Sequence, residues 1–160
     1  MKRSLLSPLP DRSRSRSRGQ DGRGGIATTR YTIGPDVVLR LALDGAQVPT
    51  GHRLVAPALL RSQLVSQLYQ AVRRGEMTKP DADRVLDHMR ALRIRLLGDR
   101  VLQSVAWKVA DRLGWPDTFT AEYVAVTQLQ ADAFVTLDAS LADAVKGLVR
   151  TASYEELVAT

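Results

Sequence analysis

Short β-prone runs alternate with helical stretches over residues 29–157, and this alternation limits the folds open to the chain. Arg30-Tyr31-Thr32-Ile33 is β-prone and is stopped by Gly34-Pro35. Asp36 is placed to cap a helix that runs to Asp44, with Val37, Val38, Leu39 and Leu41 on its apolar side and Gly45 at its end. Arg53-Leu54-Val55-Ala56 reads as a second strand closed by Pro57. Leu59, Leu60, Leu64, Leu68 and Val72 recur at helical spacing, which predicts a helix over 58–74 with Gly75 at its C-terminal cap. Thr78-Lys79-Pro80-Asp81 starts another, which Val85, Leu86, Met89, Leu92 and Ile94 carry. A helix over 99–112 turns Val101, Leu102, Val105, Ala106, Val109 and Ala110 inward and ends at Gly114. A further helix from Phe119 to Gln130 precedes the strand candidate Ala133–Leu137. Asp138 follows, then a short helix to Val145, a last strand in Leu148–Thr151 and a capping box at Ser153 and Glu156. Strands separated by helices predict an α/β sandwich with a mostly parallel sheet. Ligands of such sheets bind outside the carboxyl ends of the strands, where Gly34, Asp36 and Asp138 lie.

Charge divides the chain unevenly. The formal net charge is +6, yet residues 1–30 hold eight basic and two acidic residues, while residues 31–160 hold fifteen of each. The excess therefore sits in an extension. Residues 11–25 contain no apolar side chain, so residues 1–28 are predicted to be a disordered basic extension rich in Arg, Ser and Gly. Its Arg12, Arg14, Arg16 and Arg18 are candidate phosphate contacts for RNA; the other reading is an incidental extension of the chain. The body, residues 29–160, is long enough for one domain with its own core.

Several chemistries are closed off. The sequence has no cysteine, which excludes disulfide scaffolds, Cys-type zinc sites and thiol nucleophiles. No apolar run is long enough for a membrane span and no secretory signal is visible, so the chain is expected to be cytoplasmic, without a membrane partner. His52 and His88 show no metal spacing and read as surface or cap histidines. Trp107 and Trp115 read as packing residues. Arg90, Arg93 and Arg95 form a basic run, either a solvated helix face or a contact for nucleic acid or an acidic partner.

The segment TFTAEYVAVTQLQADAFVTLDASLADAV joins a helix, a short joint, a strand and Thr-Leu-Asp entering another helix. It resembles the PIN domain, and in particular the VapC-like toxins of bacterial toxin–antitoxin pairs. YTIGPDVVLRLAL resembles the first strand and helix of that family, and RLVAPALLRSQLVSQLYQAVRRGEMT its second strand and following helix. The resemblance implies a three-layer α/β/α sandwich and a Mg²⁺- or Mn²⁺-dependent endoribonuclease. In such an enzyme clustered carboxylates hold hard cations that polarise phosphate and activate water.

The acidic positions implied by the family are mostly replaced. Gly34 stands at the end of the first strand, Gln63 follows the second, and Thr120 opens the fifth helix; Asp138 alone is retained. Asp36 and Asp117 are the nearby acids that could substitute, Ser66 could add a polar contact, and Glu122 is expected to face away. The resemblance therefore implies a toxin–antitoxin-type PIN protein with reduced or lost ribonuclease activity. Two alternatives stay open. One is an active endoribonuclease using Asp138 with Asp36 or Asp117. The other is a non-catalytic interaction or RNA-binding module whose 58–95 helical pair docks an antitoxin or a second copy as a homodimer.

Overall fold

The computed structural model describes residues 28–160. The elements run β1 (Thr29–Ile33), α1 (Pro35–Asp44), β2 (His52–Pro57), α2 (Leu59–Arg73), α3 (Lys79–Ala91) and β3 (Arg95–Leu97), then α4 (Arg100–Leu113), α5 (Phe119–Gln130), β4 (Ala133–Val135), α6 (Ala139–Val145), β5 (Thr151–Ala152) and α7 (Tyr154–Val158). The strands form one sheet in the order β3-β2-β1-β4-β5, and every pairing among them is parallel.

This order fixes the layers. From β1 the chain steps outward through β2 to β3, then crosses back to β4 and β5. Right-handed crossovers therefore send α1–α3 to one face of the sheet and α4–α6 to the other. The packing follows: α1 lies against α2, α3 and β1, whereas α5 lies on β1, β2 and β4 with α4 against it. The result is a three-layer α/β/α sandwich. Helix α5 is enclosed by sheet and α4, so Ala121 and Tyr123 to Thr127 are all buried. Its composition fits that position, because a helix covered on most sides must be apolar on most sides. Ile33, Ala56, Leu60, Leu64, Val124, Val135 and Leu157 lie in the common core.

Local chemistry sets the ends of the elements. Thr78 and Asp81 form a reciprocal capping box on α3. The Asp99 carboxylate accepts from the Leu102 N–H at 2.8 Å and opens α4, which Gly114 closes in the left-handed conformation at φ 65°. Ser153 caps α7 through the Glu156 N–H.

Four expectations need correction. The N-cap of α1 is Gly34, not Asp36, and Asp36 lies inside the first turn. The basic run does not stay on one helix: α3 ends at Ala91, and Arg95 begins the edge strand β3. Short, charged edge strands of this kind resist pairing with other chains. On α4, Leu102, Ala106, Val109 and Ala110 are buried, but Val101 is 59% exposed and Trp107 is 71% exposed. Each sits about 100° around the helix from a buried neighbour, enough to leave the packed face. Finally, the last strand is Thr151–Ala152, later than expected, because the turn after α6 takes up Leu148 and Val149. No helix among the described residues is long and apolar enough to cross a membrane.

Candidate functional site

The connections from β1 run to one side and those into β4 come from the other, so the crevice between these two strands is the topological switch point of the sheet. At its carboxyl edge stand Gly34 after β1 and Thr136-Leu137-Asp138 after β4.

Asp36 closes this crevice. Its Oδ1 accepts from the Val37 N–H at 2.9 Å, within its own helix turn. Its Oδ2 accepts from the Leu137 N–H at 3.0 Å and from the Thr136 hydroxyl at 3.5 Å, on the far side of the switch point. One carboxylate thus ties the end of β1 to the end of β4. Gly34 makes this possible: a Cβ at position 34 would stand 3.1 Å from Asp36 Oδ1 and 3.7 Å from the Tyr123 ring. The Asp36 carboxylate therefore crowds the space that a side chain at position 34 would need.

The next member is Tyr123 on α5. Its hydroxyl donates to Gln63 Oε1 on α2 at 2.5 Å. Burial, then the charges of Asp36 and Glu122, push its phenol well above the ordinary tyrosine range. Tyr123 is thus a fixed neutral donor at ordinary pH. Glu122, expected to face away, is half-buried, and burial raises its carboxyl above the usual range.

Asp138 occupies the N-cap of α6. Its Oδ1 accepts from the Leu141 N–H at 3.1 Å, and its own N–H donates to Thr136 Oγ1 at 3.1 Å. Asp138 is exposed and lines a cavity of about 390 Å³ together with Asp117, Thr120, Trp115 and Ser140. The Asp117 carboxylate caps the local backbone through the Phe119 N–H at 3.1 Å. Positions 34, 63, 120 and 138 therefore all lie along one edge of the molecule. Gly34 and Gln63 meet through Tyr123, and Thr120 and Asp138 share the cavity. Ser66 is exposed on α2.

As a set of cation ligands, these groups are poorly suited. A hard divalent cation takes several charged oxygens in a near-octahedral shell. Here Asp36, Asp117 and Asp138 each accept from backbone N–H groups, Gln63 is neutral and held by Tyr123, and no three of the Asp, Glu and His side chains among the described residues form a group able to hold a metal ion. The arrangement does not fit a closed Mg²⁺ or Mn²⁺ centre. What it can do chemically is tie the end of β1 to the end of β4 through the Asp36 carboxylate and hold α5 to α2 through the Tyr123–Gln63 bond.

The other candidates lie elsewhere. His52 Nδ1 bonds the Leu157 carbonyl oxygen at 2.8 Å, and its ring meets Tyr31 edge-on, so it ties α7 to the sheet. His88 has its Nε2 buried without a partner among the described residues. Trp115 is half-buried against the core. The α2–α3 pair leaves an apolar groove of about 510 Å³ lined by Val65, Leu86, Met89 and Ile94. Arg12, Arg14, Arg16 and Arg18, with the rest of the extension through residue 27, lie outside the described residues. The Asp36 bridge and the Tyr123–Gln63 bond carry no sequence signal, because their partners lie 101 and 60 residues away.

No family model matches the sequence, and no curated protein matches it. Among solved structures the chain is similar to the crystal structure of PAE2754 from Pyrobaculum aerophilum. The two share 20% identity over 84% of this chain and 96% of that chain, with a TM-score of 0.61. The likeness concerns the fold.

Proposed function

We propose that the chain is a VapC-like PIN-domain protein of toxin–antitoxin type whose metal-dependent ribonuclease activity is reduced or lost. One observation carries the reading: at the carboxyl edge where that family gathers acids, Asp36 bridges β1 to β4, Gln63 is held by the neutral Tyr123, and no three acids stand together among the described residues. The order β3-β2-β1-β4-β5 and the placing of positions 34, 63, 120 and 138 along one edge support the family assignment. In this reading Asp138 serves the fold as a helix cap. The protein acts through binding, with an antitoxin-type partner or RNA as the target, and the apolar α2–α3 groove is the place for the partner. Purified protein incubated with RNA and Mg²⁺ or Mn²⁺ is expected to cleave no faster than its Asp138→Ala variant. Robust metal-dependent cleavage that disappears in Asp138→Ala would overturn the reading.

A second reading is favoured by the shared cavity. Asp117 and Asp138 line the same space, so an active Mg²⁺- or Mn²⁺-dependent endoribonuclease would use that pair. In that case Asp117→Asn and Asp138→Asn would each abolish cleavage.

A further inference from the structure

At the opposite edge of the sheet, where the strands begin, four arginines line one pocket. The strand register brings them together. Arg30 of β1 stands directly beside Arg53 of β2, and Arg95 of β3 stands beside Val55, two residues past Arg53. Because side chains alternate along a strand, all three leave the same face of the sheet. Arg93, just before β3, and Gln130, at the end of α5, complete the lining of a space of about 310 Å³.

Two features mark this pocket as more than a solvated surface. The first is charge left uncompensated. Like charges on neighbouring strands destabilise a sheet, and the domain has acids enough to pair them. Yet the ion pairs among the described residues engage other cations, such as Arg40 with Asp44 and Arg90 with Asp87, and none of the four. Asp132, beside Arg30, accepts the backbone N–H of Arg30 at 2.8 Å through its Oδ2 instead of pairing with the guanidinium. The second feature is backbone conformation. Arg93 has φ 53°, whereas the other positive-φ positions among the described residues are Gly45, Gly75 and Gly114. Glycine suits this place after a helix, and an arginine there is held in a disfavoured conformation. Both local costs fall on one pocket, the pattern expected where structure is kept for binding.

The chemistry of the lining indicates the ligand. Guanidinium forks match phosphate oxygens in bidentate geometry. No aromatic ring among the described residues lines the pocket, so they offer no platform for base stacking there. We propose that this amino-edge pocket is a phosphate-binding site, separate from the carboxyl edge, that takes the phosphates of a nucleotide or of a nucleic-acid strand. It stands apart from the acidic positions of the toxin–antitoxin reading, because no residue of the carboxyl edge takes part; Arg93 alone is shared with the α2–α3 groove.

The test uses the full chain without divalent metal and two probes: inorganic pyrophosphate by calorimetry and a short labelled single-stranded RNA by anisotropy. Arg53→Gln and Arg95→Gln are each expected to weaken binding about tenfold. Arg93→Gly is expected to weaken binding while the melting temperature stays equal or rises, which separates lost contact from lost fold. Arg112→Gln, on the exposed side of α4, is the control for diffuse charge. RNA binding that Arg53→Gln and Arg95→Gln weaken along with pyrophosphate binding assigns the site to a strand, and RNA binding that they leave unchanged while pyrophosphate binding falls assigns it to a nucleotide-sized anion. The proposal is overturned if neither probe binds, or if Arg53→Gln and Arg95→Gln bind as well as the parent. It is equally overturned if Arg112→Gln loses as much, or if an acidic peptide competes better than pyrophosphate.

Discussion

Tyr123 shows how one side chain changes the character of the carboxyl edge. Its phenol is held neutral by burial and by the charges of Asp36 and Glu122, and it donates to Gln63 at 2.5 Å. Substituting Tyr123→Phe keeps the ring and leaves half-buried Gln63 without that donor, a loss of about 1 kcal/mol at neutral pH. The pH dependence has a definite sign. The folded state holds the phenolic proton more tightly than the unfolded chain, whose value is about 10. Its contribution is therefore complete below that pH and is lost as pH rises toward the folded value. Burial raises Tyr31 and Tyr154 as well, so the parent and the variant both weaken in alkali. The measurement is the difference between their denaturation midpoints, which should shrink above about pH 10. A difference that stays flat across that range removes the ionisation of Tyr123 as its cause.

Among the elements, α3 depends most clearly on its first turn. Thr78→Ala removes the side-chain half of the capping box and is expected to cost about 1 kcal/mol by chemical denaturation. The Asp81 carboxyl is held below its usual range, chiefly by the Thr78 hydroxyl and then by the Thr78 backbone N–H. A depressed folded value means a contribution present above the unfolded pKa of about 3.9 and lost as pH falls below it. Asp81→Asn should therefore be less stable than the parent at neutral pH and converge with it in acid. Parallel curves down to acid pH would count against the box. This start was legible in the sequence because it is local: Thr, Pro and Asp sit within four consecutive residues, 78–81. The same holds for β1, β2, α2 and α5, whose apolar patterns exceed a full turn or a strand's length. Strand β3 carries no such signal, because its three residues, Arg95-Leu96-Leu97, follow a basic helix end without a break in composition. Asp36 looked like a cap for a related reason. Its position suits one, and only a contact to Leu137 across the sheet shows that it bridges two strands instead.

At the scale of the molecule, the parallel sheet separates two chemistries. Parallel strands put their carboxyl ends at one edge and their amino ends at the other, so β1 keeps Gly34 and Arg30 about 13 Å apart. The carboxyl edge holds Asp36, Asp117 and Asp138 in hydrogen bonds to the backbone, and the amino edge presents Arg30, Arg53, Arg93 and Arg95 unpaired among the described residues. The charge of the sequence has the same polarity, since the basic extension joins the domain at Thr28, at the amino end of β1. If Arg12, Arg14, Arg16 and Arg18 are the RNA contacts, replacing all four by Ser removes their phosphate neutralisation. Each lost contact should flatten the dependence of log affinity on log salt by about 0.7 for a single strand. Four together should lower that slope by about 3, while pyrophosphate binding at the amino-edge pocket stays unchanged. An unchanged RNA slope in the Ser variant would remove these four arginines as RNA contacts.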